Sequence, residues 1–518
     1  MGARTRTERP CRIGRCAAAL LATAALTLAR PEPAAAQTDW PLLAADSRRT
    51  SQALTAPIEL TARLWLANVA GGSPLVSEGP TTPVVWNGRV YTVARHFTGA
   101  SYTHEKIVAW DAATGQYLWQ FLAPRGDDPF PFDSWAAPAI DRQAGRLYFG
   151  VFKTLYAIDA ADGSQAWSRP FVRRLVNSSP AFDDDAHPSR CLIGDYDPFG
   201  AASELHCVNV APFDGGSNPY RPGEVVWSEP IGGASGPTPA VADGVAYVAS
   251  AAGFSGFPDE GFVWAFDIGA PAGQRLLWST AVGEGFFGGL AVSGDALFAA
   301  SYDFDGGADN STLVKLARAD GAVRWTIPAE RTSSTPIVSG DLVLLSGGIN
   351  GFGSAPKVEA FRDLGGSAVK LWDTYADTGG ALVVGGWTHQ PVLAGQTLFA
   401  GRLPAAGGAA PYTDIYLLDV SRTPTDAGFV VQHVAGVGSS PAVANGRLYS
   451  LGPAGVQCWA ACGDYSGDGR RDGRDVQGFM AALLGGMPTA AEIALGDLNG
   501  NMVLDAGDAA LLADKLVH

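Results

Sequence analysis

Cysteine is nearly absent from this chain: six occur in 518 residues, and two of them, Cys11 and Cys16, lie close to the N-terminus. No Cys-Cys or Cys-x-x-Cys pair occurs, which excludes zinc ribbons and thioredoxin-type redox motifs. Positive charge is also short, with 36 Lys+Arg against 51 Asp+Glu. Such a balance repels phosphate backbones and anionic headgroups, so nucleic acid and membrane-surface partners are not expected. No internal run approaches the roughly twenty apolar residues that a membrane helix needs. There is no Gly-x-Ser-x-Gly elbow and no phosphate loop. His96, His104, His187, His206, His389 and His433 show no mutual metal spacing and read as strand or loop residues. Paired acids for glycoside hydrolysis would have to come from different repeats, and no spacing picks them out.

What is present begins with an export signal. Arg4, Arg6, Arg9, Arg12 and Arg15 form a basic start, Cys16 to Ala29 is apolar, and Ala34-Ala35-Ala36 offers a small-residue cleavage site. Residues 1–36 are therefore expected to be removed near Ala36, leaving a secreted protein, extracellular or periplasmic. The remainder carries 30 Lys+Arg against 49 Asp+Glu, a net charge of −19. Its four cysteines fall as two local pairs, Cys191 with Cys207 and Cys458 with Cys462, and an oxidising compartment suggests a disulfide within each. Residues 37–57 form a lead-in.

Residues 58–459 repeat themselves. Each copy opens with a small residue and usually Pro, then alternates short apolar strands with Gly-containing turns and closes on a Trp strand. The closing residues Trp119, Trp167, Trp227, Trp278, Trp325 and Trp372 are separated by 48, 60, 51, 47 and 47 positions. A period near fifty with four strands per copy is the pattern of propeller blades, whose faces are buried only by neighbouring blades. The abundance of turn formers, 65 Gly and 34 Pro beside 47% hydrophobic residues, fits such an all-β body. Blade starts fall near Thr82, Ala137, Ser179, Thr238, Gly288, Thr335, Gln390 and Ser440, which makes eight blades rather than seven. The last copy has residues for only three strands. ELTARLWLANV, around Trp65, is expected to supply the fourth and so close the ring without open edges. The tryptophans are expected to dock between adjacent blades.

The segments AWDAATGQYLW (109–119) and AIDAADGSQAW (157–167) resemble the repeat of pyrroloquinoline-quinone-type propellers. That superfamily includes quinone-dependent alcohol dehydrogenases and cofactor-free scaffold propellers. The resemblance implies, for the dehydrogenases, an adjacent-cysteine disulfide over the quinone, which this chain cannot form. It also implies acids in the funnel that hold calcium and act as base. Asp127, Asp128, Asp303, Asp305 and Asp309 are the candidates, all in Gly-rich loops where turn formation accounts for them equally well. Quinone chemistry is therefore not expected.

Residues 460–518 spell one loop twice: GDYSGDGRRDGRD from Gly463 and GDLNGNMVLDAGD from Gly496. Loop positions 1, 3, 5, 9 and 12 hold Asp464, Ser466, Asp468, Asp472 and Asp475 in the first copy. In the second they hold Asp497, Asn499, Asn501, Asp505 and Asp508. A calcium ion takes six to eight oxygens at roughly 2.3–2.6 Å, and the position-7 carbonyls of Arg470 and Val503 would add one each. Two calcium sites are expected, the second weaker. Its position 6 is Met502, where the sharp turn favours Gly, and it has fewer carboxylates. The loop pair, each copy followed by an apolar helix, resembles a type I dockerin. That resemblance implies a cohesin-like partner, although positions 10 and 11 (Gly473-Arg474 and Ala506-Gly507) lack the hydroxyl pairs of well-known modules.

These features suggest a secreted, non-catalytic binding or scaffold protein. An all-β, eight-bladed propeller would engage a protein or polysaccharide, and a small α-helical calcium tail would attach it to a partner. The alternative is an exported enzyme, a quinone-dependent dehydrogenase or polysaccharide hydrolase, with its site in the funnel.

Overall fold

A computed structural model describes residues 39–75, 81–98, 101–125, 136–183, 189–197, 203–233, 237–254, 257–303, 311–351, 353–403, 412–438 and 440–517. The signal segment, His187 and the funnel acids Asp127, Asp128, Asp305 and Asp309 lie outside the described residues.

Eight four-stranded antiparallel sheets form the body, each with its strands in chain order except the last. Their innermost strands are Val84–Trp86, Ala139–Asp141, Ala181–Asp183, Ala240–Ala242, Leu290–Ser293, Ile337–Ser339, Val392–Ala394 and Ala442–Ala444. Each begins two residues after the start read from the repeat. The eighth blade takes its outer strand, Ala62–Ala67, from the other end of the chain, paired antiparallel with Gly455–Ala460. Innermost strands touch between blades 1 and 2, 3 and 4, 4 and 5, 5 and 6, and, through 442–444 against 84–86, 8 and 1. Shared apolar cores join blades 2 and 3, 6 and 7, and 7 and 8, so the ring is closed.

The Asp-x-x-x-Gly…Trp signature has a packing explanation. Asp111 caps its turn by accepting from the amides of Ala113 and Thr114, at 3.1 and 2.9 Å. The turn then places a Gly in the left-handed region, φ +70° at Gly115 and +78° at Gly163. Against that bare backbone lies the Trp of the preceding blade. A Cβ at Gly115 would stand 2.5 Å from the Trp65 ring, and one at Gly163 2.6 Å from Trp119. The indole N–H then donates into the same turn: Trp65 to the Ala112 carbonyl at 3.0 Å and Trp227 to Ile268 at 3.1 Å. Each Trp is thus a peg for the next blade. Blade 7 has Gln432 in that place because blade 8 has no third-to-fourth turn, only the incoming N-terminal chain. Gln432 bonds both backbone groups of Leu60 instead, accepting at 2.8 Å and donating at 3.1 Å.

The tail carries helices α1 (Asp475–Leu484), α2 (Ala490–Gly496) and α3 (Ala506–Val517). The helix α2 was not anticipated, although its Thr489-Ala-Ala-Glu492 start forms a reciprocal capping box. Phe479, Ala482, Leu504 and Leu512 make the tail core. Leu484 and Leu511, on α1 and α3, are exposed.

The two local disulfides are corrected: all four cysteines are free thiols. Cys191 stands opposite Val208 and Cys207 opposite Leu192, so the two point to opposite faces of their sheet. Cys191 is buried against blade 2 and Cys207 against blade 4. Cys458 lies inside the outer sheet of blade 8. Cys462 lies past the strand end and points its sulfur at the Ala494 carbonyl, 3.5 Å away.

Candidate functional site

Both tail loops close around their own acids. In the first, Asp464 accepts from the amides of Gly467 and Gly469 at 2.8 and 2.9 Å. Asp475 accepts from Ser466 and Asp472 at 2.8 and 2.7 Å. The second loop repeats the pattern. Asp497 accepts from Asn501 and Met502, and Asp508 from Leu498, Asn499 and Asp505. Every residue expected at positions 1, 3, 5, 9 and 12 is therefore held in one of two turns of matching geometry. Position 6 is left-handed in both, φ +82° at Gly469 and +64° at Met502.

The donor set suits a hard cation. Asp464, Asp468 and Asp475 are buried together. Burial, reinforced by Asp475 and Asp468, pushes the Asp464 carboxyl up to about 6. Arg474 donates to Asp468 at 2.8 Å but is more than half exposed, so it can leave without breaking packing. Met502 carries the cost of a side chain in the left-handed region while being 81% exposed. Met502→Gly is therefore expected to stabilise the tail by about 1 kcal/mol. It should also tighten the second loop for calcium, which a comparison of thermal midpoints at graded calcium concentrations will measure.

The lead-in fills the channel of the ring. Trp40 exchanges two backbone bonds with Val85 of blade 1, both 2.8 Å, and Pro41 accepts from Ile140 of blade 2. Ser47 meets Phe182 of blade 3 with its hydroxyl and Val241 of blade 4 with its carbonyl. Arg48 accepts from Val292 of blade 5, Gln52 donates to Val338 of blade 6, and Ser51 and Ala53 pair with Leu393 of blade 7. Thr55 accepts from Gly446 of blade 8. One segment thereby covers inner edges all round the ring. Ala44, Ala45, Arg49 and Ser51 adopt positive φ to make these turns. Arg49, fully buried, donates to the carbonyls of Leu43, Ser179, Pro180 and Pro239 at 2.9–3.1 Å. Burial pulls its guanidinium down to about 10, which still leaves it charged at neutral pH.

Around the lead-in runs a belt made by the residue before each strand-opening Pro. Ala137 donates its amide to the Ser179 hydroxyl, Ser179 to Thr238, Thr335 to the Gln390 side chain and Gln390 to Ser440. His389 anchors it, accepting the Gly401 amide at 2.7 Å while fully buried. Burial without a counter-charge pushes its imidazole down to about 3. The unfolded chain protonates this residue near 6.5 and the fold does not. Stability is therefore expected to fall as pH drops from about 6.5 towards 3, by on the order of 1 kcal/mol per pH unit. Thermal midpoints of wild type and His389→Gln across that range will check this, the variant giving the flatter curve.

Because strands alternate, first-to-second and third-to-fourth turns share one face of the ring, and second-to-third loops share the other with the blade connections. The lead-in exit and the first tail loop sit on the turn face, at Gly446 and Gly395. On the loop face, Asp195, Glu204 and His206 converge in blade 3. Arg173 donates to both carboxylates, at 3.3 and 2.9 Å, and so supplies the cation there. Between blades 5 and 7, Tyr302 packs on Phe287 and Trp387 with ring centroids 5.3 and 5.4 Å apart, and Arg331 lies over it. Of the anticipated funnel acids only Asp303 is described, and its amide bonds the Ser311 hydroxyl. Among the described residues no helix is long and apolar enough to cross a membrane.

A family model described as "Outer membrane protein assembly factor BamB" matches residues 103–188 and 259–409, which spread over seven of the blades. No curated protein matches the chain. Among solved structures, a europium-containing methanol dehydrogenase aligns at 10% identity and TM-score 0.51, covering 81% of this chain and 88% of that one. A quinohemoprotein alcohol dehydrogenase from Comamonas testosteroni aligns at 14% identity and TM-score 0.54, covering 82% and 80%. BamB from Moraxella catarrhalis aligns at 15% and 0.34, covering 74% and 96%. At these identities the likeness to the two dehydrogenases is one of fold, and the matched segments are similar to PQQ-like repeats.

Proposed function

We propose that this ring of PQQ-like repeats is an exported, non-catalytic binding or scaffold protein, attached to a partner through a calcium-dependent, dockerin-like tail. The observation that carries the reading is the pair of matching loops at the C-terminus. In each, the first and twelfth positions are Asp carboxylates aimed at the loop's own amides, and oxygen-bearing side chains lie between them. Calcium at the first loop would be held by Asp464, Ser466, Asp468, Asp472, Asp475 and the Arg470 carbonyl. At the second it would be held by Asp497, Asn499, Asn501, Asp505, Asp508 and the Val503 carbonyl. The ion supplies positive charge to a buried acidic cluster that has too little of its own. A cohesin-like protein is the partner that the tail's resemblance suggests.

The propeller's ligand, a protein or a polysaccharide, belongs on the loop face, since the lead-in and the tail take up the turn face. Half-buried Phe287 and Trp387 beside Tyr302 offer flat apolar surface there. Reconstitution of the full chain with pyrroloquinoline quinone and calcium is the test against the enzyme reading. Dye reduction over a panel of primary alcohols is expected to stay at the blank level. Sustained turnover that Asp303→Ala removes would overturn the non-catalytic reading.

A further inference from the structure

The two loops differ in what they touch. Gly469, position 6 of the first loop, lies against the propeller's N-terminal chain: a Cβ there would stand 2.1 Å from the Ala56 carbonyl. The same loop covers the first turn of blade 8, where a Cβ on Gly446 would meet the Gly469 amide at 2.4 Å and the Gly467 carbonyl at 2.6 Å. Arg471, at position 8, pairs with Glu59 and donates to the Cys462 carbonyl at 2.7 Å. The Cys462 amide in turn donates to the Thr61 hydroxyl at 2.9 Å. Ala56, Glu59 and Thr61 are the residues that lead the chain out of the channel and into the closing strand Ala62–Ala67. Helix α2 lies against that strand, and its Leu495 joins the hydrophobic core of blade 8. Among the described residues nothing comparable holds the second loop, whose position 6, Met502, is 81% exposed. This explains why the first copy keeps a Gly at position 6 and the second tolerates Met.

We infer that the first calcium loop is a latch on ring closure: an ion bound there stabilises the pairing of the N-terminal strand with the last blade. The inference rests on the calcium reading and adds a role inside the molecule to the attachment role of the tail. The pairing of 62–67 with 455–460 is the one sheet in the ring whose outer strand comes from the far end of the sequence. It is thus the natural place for the ring to open. Opening it pulls Glu59 and Ala56 away from the loop backbone that the ion organises. If the opened form loses the ion, its population falls by the factor 1 + [Ca]/Kd, about a hundredfold at a calcium concentration near one hundred times Kd.

Hydrogen exchange on the full chain, read by mass spectrometry with calcium and with chelator, tests this. With calcium, peptides covering 59–67 and 455–460 are expected to exchange up to about a hundredfold more slowly, and blade 4 peptides (245–267) to be unchanged. Asp508→Ala should leave that protection in place, because it touches only the outer loop. Glu59→Ala should bind calcium and lose much of it. Calcium uptake by calorimetry with no change at 59–67 would overturn the latch and leave the calcium reading standing. Absence of uptake would remove both. Equal protection of blade 4 would also overturn the latch, since it would mean general stabilisation.

Discussion

Arg49→Ala is expected to destabilise the propeller by roughly 3–5 kcal/mol, the range for removing one partner of a buried charged network. The side chain has no exposure and donates to four carbonyls of the lead-in and of blades 3 and 4. Alanine leaves those carbonyls unpaired around a cavity, with water excluded by the surrounding ring. Arg48, one residue earlier, is the control. Its side chain is about half exposed and pairs with an exposed Asp243 at 3.0 Å. Arg48→Ala is therefore expected to cost no more than about 1 kcal/mol. Denaturant unfolding of the two variants beside wild type will separate them. Similar midpoints for both would show that the lead-in does not hold the ring together.

The second large effect concerns calcium. Asp475→Ala is expected to weaken the first loop for calcium at least about a hundredfold, since it removes a carboxylate that also caps two loop amides. The size of its stability effect depends on the ion. In calcium the variant should unfold at a lower temperature than wild type. In chelator the gap should narrow, because alanine also relieves the repulsion that adds to burial in pushing the Asp464 carboxyl up to about 6. Thermal unfolding of both proteins in the two buffers measures it, and a gap of the same size in each would mean that Asp475 acts only by holding the loop amides of Ser466 and Asp472.

The ring was legible because its signals repeat. Most blades carry the same Pro-led strand, Asp-capped turn and Trp, so a weak local pattern gains force from repetition. Even the closing strand could be placed, since the final copy was one strand short. The lead-in was not legible. Residues 39–56 have no strand period, and their role depends on carbonyls distributed over the whole ring, as with Arg49 and Pro239. Gln432 was visible only as a missing Trp, and its purpose appears once Leu60 lies beside it. His389 gave no signal because its partners, Gly401 and Ser440, are brought to it by two different blades or loops. The cysteine pairs misled because closeness in sequence says nothing of which face of a sheet a residue occupies. Register decides that, and it sets Cys191 and Cys207 back to back.

The two turns of the tail could be read from the sequence, because the bonds that close each loop are local. What could not be read was their docking: the first loop against Ala56 and Gly446, the second in solvent. Calorimetric titration of the full chain with calcium tests the central claim most directly. The expected result is uptake at one tighter and one weaker site, the tighter lost in Asp475→Ala and the weaker in Asp508→Ala. Heat no different from buffer dilution, in a protein whose unfolding is indifferent to chelator, would contradict it.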